Sequence, residues 1–176
     1  MEVFDAVRAR RSVRGYSSTP VPKEKLDRVI ESGRLAPSAM NLQPWHFIIV
    51  EDADKREKMS KAKYAKFLKE SPVVIVGCGD RKASSKWFAI DTTIALQNMV
   101  LTATSEGLGT CWIGSFDEDM IRKLLKIPEH LAIVALLAVG YPRKKLDLAA
   151  MIGRSGNRKP AEDIVSVEEY GAKNEH

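Results

Sequence analysis

Histidine and cysteine are scarce in this chain, with three of the former and two of the latter among 176 residues. Cys78 and Cys111 stand too far apart to suggest a disulfide framework or a zinc knuckle, and both read as buried thiols in or beside apolar strands. His46, His130 and His176 offer no Ser–His–Asp or Cys–His set. His46 borders a strand and reads as structural. No metal-ligand spacing is present. No apolar run approaches the roughly 20 residues that span a bilayer. Glu2, Asp5 and Arg8 interrupt the opening segment where a secretory leader would need an apolar core. The expectation is a soluble, cytoplasmic protein without a membrane partner. A net charge of +5 raises nucleic-acid binding, yet acidic residues accompany the basic ones through 51–58 and 117–119, and no helix–turn–helix, zinc-finger or RNP pattern occurs. No nucleic-acid partner is expected. Val74-Ile75-Val76-Gly77-Cys78-Gly79-Asp80 imitates a dinucleotide fingerprint, but Lys82 occupies the place of its third glycine.

What is present is an ordinary globular composition, 44% hydrophobic and 29% charged. A chain of this length is expected to form one domain, residues 1–176, burying close to 70% of its unfolded surface. Phe4 and Val7 suggest a short helix from 2 to about 10. Leu26, Val29 and Ile30 form an apolar stripe between Pro22 and Gly33. Phe47–Val50 reads as a buried strand, 53–69 as a helix with Met59, Ala62, Tyr64, Ala65 and Leu68 on its apolar side, and Val73–Cys78 as a second strand. A long helix, about 87–106, is apolar on much of its circumference and should be the central core helix, with Gly107 as its stop. Thr110–Ile113 is a short strand, Asp117 an N-cap for a helix to about Leu125, and Ala132–Val139 a central strand. Residues 141–163 show no periodicity, and Ile164–Val167 looks like a final edge strand. Helices and strands alternate in an α+β order.

Two segments carry chemistry. In Ala36-Pro37-Ser38-Ala39-Met40-Asn41-Leu42-Gln43-Pro44-Trp45-His46, two prolines block a helix between them, so the loop presents Ser38, Asn41 and Gln43 from a strand edge. Near the N-terminus, Arg8-Ala9-Arg10-Arg11-Ser12-Val13-Arg14 concentrates four arginines, whereas lysine is the commoner cation across 51–70. Arginine's fixed fork of donors suits phosphates and planar acceptors. Alone, the first segment is equally an ordered connector and the second a solvated face. Together they suggest an anionic, planar, multiply hydrogen-bonded ligand, which a flavin mononucleotide satisfies.

Arg10-Arg11-Ser12-Val13-Arg14, the loop just quoted, Gly107-Leu108-Gly109-Thr110-Cys111-Trp112-Ile113-Gly114 and Gly140-Tyr141-Pro142 occur in the order found in the nitroreductase family of FMN enzymes, and the chain resembles that family from about residue 3 to about residue 167. The resemblance implies a central mixed or antiparallel sheet flanked by helices, and a homodimer with two FMN sites at its interface. A C-terminal arm, about 141–176, would be exchanged across that interface. It implies non-covalently bound FMN and NAD(P)H as electron donor, with hydride chemistry at flavin N5 and no protein group as the reacting centre. A small-molecule acceptor, such as a nitroaromatic or a quinone, would be reduced by a ping-pong exchange. The alternatives are a specialised enzyme of the same fold, of dehalogenase or dehydrogenase type, and a non-enzymatic flavin-binding protein.

Residue by residue, the resemblance gives Arg14 the place beside flavin N1–C2, where reduction builds negative charge. Arg10 and Ser12 would contact the phosphate and the pyrimidine edge; Arg11 lies in the same motif but is expected to face solvent or pair across the dimer. Pro37, Ser38, Ala39, Met40 and Asn41 would come from the opposite subunit to line the ring, with Ala39 standing where many relatives carry serine. Gln43 and Trp45 would secure the loop. Trp112, Ile113 and Gly114 would bring a backbone N–H toward N5, with glycine at 114 permitting close approach. Arg158, in Arg158-Lys159-Pro160, is a phosphate ligand in this reading; Gly156 stands where a second cation often lies, and Arg154 could substitute if the loop differs. The basic stretch Lys55–Lys69 reads as an exposed helix face attracting NAD(P)H phosphates. The short 79–87 connection leaves the substrate pocket open.

Overall fold

A computed structural model describes residues 1–62, 64–143 and 158–172. The chain divides into a large unit, Met1–Lys145, and a small one, Leu146–His176. In the large unit, helices α1 (Val3–Ala9), α2 (Lys23–Arg34), α3 (Ala53–Met59), α4 (Phe88–Ser105) and α5 (Glu118–Leu125) surround strands β1 (Trp45–Val50), β2 (Val73–Asp80), β3 (Gly109–Ile113) and β4 (Leu131–Gly140). The strands form one antiparallel sheet in the order β1-β2-β4-β3. An α+β fold with an antiparallel sheet is thus confirmed; among the described residues the one parallel element is an isolated bridge between Ser12 and Thr110.

β2 as far as Gly79 and the whole of β4 are apolar because both faces of the sheet are covered. Val73, Ile75, Leu137 and Val139 face α2 and α4, where Leu26, Val29, Leu96 and Met99 complete one core. Their alternate neighbours Val74, Val76, Leu136 and Ala138 face a second core with Met59, Leu68 and Ile121. Each fully buried Leu or Met contributes about 1.5–3 kcal/mol relative to exposure. Gly77 and Gly79, the glycines of the apparent fingerprint, serve this packing: an added Cβ would lie 2.6 Å from Leu96 Cδ1 or 2.7 Å from Phe88 Cδ2. α4 ends where Gly107 turns left-handed (φ 76°) and Leu108 N–H returns to Ala103 O at 2.8 Å. Asp117 caps α5 as expected, its side chain accepting from Met120 N at 2.9 Å.

Two expectations fail. The helix expected over 53–69 stops at Met59, and a separate 3-10 turn covers Lys66–Lys69. Tyr64, expected on the apolar side, is exposed; the other four positions, 59, 62, 65 and 68, repeat every three residues, so over nine residues an α-helix at about 100° per residue would turn Leu68 about 180° away from Met59. Both are fully buried in the same core, and the chain must break to put them there. The edge strand expected at 164–167 is also absent. In the small unit a 3-10 turn, Ala161–Asp163, is followed by Val165 N–H bonding back to Ala161 O, and Ile164 and Val165 stay exposed. β-branched residues make a strand only where a pairing edge exists.

Candidate functional site

The arginine-rich segment is fixed from behind. Val13 N–H donates to Thr110 O at 2.8 Å, so residues 12–13 run beside β3. Gly109 permits this approach, since a Cβ there would stand 2.7 Å from Val13 Cγ2. Tyr16 is buried, and its hydroxyl donates to Val13 O at 2.7 Å. Burial pushes the Tyr16 hydroxyl far above its usual range, helped by Cys111 and opposed by Arg14, so it stays a donor. Val13 therefore points inward, while its neighbours Ser12 and Arg14 project away. Among the described residues Arg10, Arg11 and Arg14 enter no ion pair and the Ser12 hydroxyl no hydrogen bond, whereas Arg8 is spent over the Phe4 ring. A cleft of about 190 Å³ opens beside them, lined by Arg10, Arg11, Thr104, Leu108 and Thr110.

The Pro37–Gln43 loop contains a single 3-10 turn, Ala39–Asn41, despite its prolines. Met40, Asn41 and Gln43 have φ of 52°, 56° and 48°, a left-handed region that non-glycine residues rarely enter. Gln43 does secure the loop: its N–H donates to Ser38 Oγ at 2.9 Å and its Nε2 to Asn41 O at 3.2 Å. Asp80 N–H donates to Pro44 O at 2.7 Å, stitching the loop's end to β2. The Asp91 carboxylate at the start of α4 accepts the Ala39 N–H. Sequence reading passed over Asp91; the available signal was a lone carboxylate in the first turn of an apolar helix. Met40 is 90% exposed.

Trp112 and Ile113 close β3, and Gly114 follows, exposed. A Cβ at Gly114 would meet nothing within 4 Å, so the space over this backbone is free. β1 and β3 are the two outer strands, and β3 leaves the sheet toward the end at which β1 enters. Three strand spacings, about 14 Å, separate those edges. The large unit thus brings Arg10–Arg14 to β3 with Trp112–Gly114 and sets Pro37–Asn41 at the opposite edge. Arg158 lies exposed in the small unit; Arg154 and Gly156 fall outside the described residues, as does the arm from 144 to 157.

FMN requires cations for its phosphate, donors along the ring edge and an unobstructed backbone near N5. Uncommitted arginines, a free serine hydroxyl and an open Gly114 supply groups of each kind, so the donor set fits. Cys78 does not compete as a nucleophile: burial raises its thiol to about 11, keeping it protonated. The cleft of about 650 Å³ lined by Lys58, Lys61 and Lys123 holds none of the residues expected to contact flavin, although Lys58 and Lys61 belong to the basic stretch expected to attract NAD(P)H phosphates.

The nitroreductase family model matches residues 7–73 and 59–141. A protein of Methanothermobacter thermautotrophicus, provisionally named an NADH dehydrogenase/NAD(P)H nitroreductase, is 38% identical over 150 residues, covering 81% of this chain and 78% of its own. A crystal structure of a similarly named protein from Parabacteroides distasonis superimposes with a TM-score of 0.85 at 33% identity, over 96% of this chain and 98% of that one. An FMN-dependent nitroreductase from Clostridium difficile gives 0.75 at 30% identity, over 88% and 99%. A scaffold, motif order and overall sequence that agree over nearly the whole chain admit one conclusion: it belongs to the nitroreductase family.

Proposed function

We propose that this chain is an FMN-dependent NAD(P)H oxidoreductase that reduces nitroaromatics, quinones or similar electrophilic acceptors by a ping-pong exchange at one site. The observation that carries the reading is the segment at 10–14, anchored by buried bonds yet with the side chains of Arg10, Ser12 and Arg14 making no ion pair or hydrogen bond among the described residues. Bound FMN would supply the hydride chemistry at N5. Arg14 holds a positive charge beside N1–C2, and Arg10 and Ser12 grip the phosphate and pyrimidine edge. The Trp112–Gly114 backbone directs an N–H toward N5. Arg158 binds the phosphate, on the strength of its sequence motif.

A homodimer completes the site in this proposal, with Pro37–Asn41 of the second copy lining the ring and the arm from about 141 packing on that copy. Two observations support it. The β3 segment and the loop of one chain sit on opposite sheet edges. Moreover Val3, Phe4 and Val7 of α1 and Ile90 and Ile94 of α4, helices that pack on one another, expose large apolar side chains. Among the described residues no helix is long and apolar enough to cross a membrane; a cytoplasmic location is proposed with the rest.

An anaerobic visible spectrum of the protein supplied with FMN, before and after NADH or NADPH, tests the reading. A bound-flavin spectrum that bleaches is expected. Absence of bound flavin refutes it, and bound flavin that neither donor reduces refutes the NAD(P)H assignment.

A further inference from the structure

We infer that Asp91 is the positioning residue of this site: its buried carboxylate holds the Ala39 N–H and thereby keeps Met40 and Asn41 in the left-handed conformation that presents the loop to FMN. The inference rests on the flavin reading above.

Asp91 is 3% exposed, in the first turn of α4. A buried carboxylate is costly unless it is hydrogen-bonded, and it has about four acceptor positions to fill. Among the described contacts its hydrogen-bonding partner is one N–H, that of Ala39, 3.3 Å from each oxygen. The positive end of the α4 dipole supplies the remaining compensation. This charge does little for packing, and where it is spent is on the loop.

The loop needs such an anchor. Ser38 is extended (φ −144°, ψ 157°), Met40 is left-handed (φ 52°, ψ 21°), Leu42 returns to the right-handed region, and Gln43 is left-handed again. Left-handed methionine persists only where its surroundings over-determine it. Most of the bonds that shape the turn are internal: Asn41 N–H to Ser38 O, Leu42 N–H to Ala39 O, and Gln43 N–H to Ser38 Oγ. Internal bonds set a shape without fixing its place. Asp80 N–H to Pro44 O fixes the loop's exit. The contact that ties the turn itself to a rigid helix is Ala39 to Asp91. Met40 and Asn41, the next two residues, then project outward where a ligand or a second copy meets them.

Two readouts on Asp91→Ala and Asp91→Asn test this, one independent of flavin. In protein without flavin, amide exchange across 40–43 is expected to quicken about tenfold or more in Asp91→Ala, the scale of one charge-assisted hydrogen bond, while α2 is unchanged. Asp91→Asn retains an acceptor oxygen and should restore most of the protection. With flavin, Asp91→Ala should weaken FMN and riboflavin by the same factor, because the loop meets the ring and not the phosphate. A purely structural aspartate would lower Tm and leave both readouts where they were. Unchanged loop exchange, or loss of FMN with riboflavin retained, overturns the inference. If the wild-type protein binds no flavin, the functional reading fails while the exchange arm still decides the role of Asp91. Should Asp91→Ala not fold, Ala39→Pro removes the donor from the exposed side, with Ser38 already extended as a residue before proline must be. The same equal loss of both flavins is expected, and unchanged affinities overturn the inference.

Discussion

Arg14→Ala separates binding chemistry from folding with unusual clarity. The side chain is exposed and, among the described residues, makes neither an ion pair nor a hydrogen bond, while the backbone on either side is fixed by Val13 N–H to Thr110 and Tyr16 Oη–H to Val13. Removing it should change the stability of the flavin-free protein by no more than about 0.5 kcal/mol. A charge-assisted hydrogen bond to the flavin is worth roughly 1.5–3 kcal/mol, so the FMN dissociation constant should rise about 10- to 150-fold. If at least about 1.4 kcal/mol of that favours the reduced, negatively charged ring over the oxidised one, the two-electron potential falls by about 30 mV. Fluorescence titration with FMN, potentiometry against a reference dye and thermal melting of the flavin-free protein measure the three quantities. Arg14→Lys keeps a charge but not the fork, and should retain most of the potential while losing part of the affinity. Affinity and potential both at wild-type values would remove Arg14 from the site. A flavin-free Tm that falls in step with affinity would show that the arginine acts through the fold.

The remaining predictions follow from the same geometry. Arg158→Ala should weaken FMN more than riboflavin, since only FMN carries the phosphate, and equal losses would place Arg158 elsewhere. Gly140→Ala should destabilise by about 1–3 kcal/mol or more, because the added Cβ would lie 2.4 Å from Cδ of the rigid Pro72 ring and 3.0 Å from Tyr16 Cδ1. A melt within 1 °C of wild type, measured by calorimetry, would refute that. Cys78 is held neutral in the fold up to about 11 by burial, against 9.0 for the free thiol, so the unfolded chain releases this proton first as pH rises. Stability from this source is complete below about pH 9 and declines through about pH 11, by up to about 2 kcal/mol at pH 10.5. Urea melts at pH 8 and 10.5 should therefore show a smaller alkaline loss in Cys78→Ala than in wild type, and identical losses would refute the assignment.

The sequence announced most of the fold because its signals were local. α4 carried its own apolar surface and its own glycine stop, α5 its own aspartate cap, and β2 and β4 were continuous apolar runs that only a doubly covered sheet explains. Where a signal depended on a distant partner, reading failed. The three-residue spacing of Met59, Ala62, Ala65 and Leu68 passes for a helical face until one knows that all must reach a single core. Ile164–Val167 has strand composition without an edge to pair with. The binding segments were legible as residue types, arginines and a proline-bracketed loop. Their support was not, because Gly109 against Val13, Tyr16 against Val13 and Asp91 against Ala39 join residues far apart in sequence or hide in unremarkable positions.

Local rules are broken unevenly across this molecule, and the pattern bears on function. Natural sequences depart from consistent propensity, capping and charge pairing chiefly where a ligand requires it. Among the described residues of the large unit the departures include three arginines at 10, 11 and 14 with no ion pair, three left-handed non-glycine residues at 40, 41 and 43, and a buried carboxylate at 91 answered by one N–H. On the α3–α5 side of the sheet the one left-handed residue among the described residues is Lys126, which caps α5 and returns its N–H to Arg122 O, an ordinary helix ending. Stability alone would select against each departure: an ion pair for the arginines, glycine at Met40, an apolar residue at Asp91. They fall at the two sheet edges that the proposed homodimer brings together. A flavin held between those edges accounts for these departures at once, whereas a purely structural role must explain each separately.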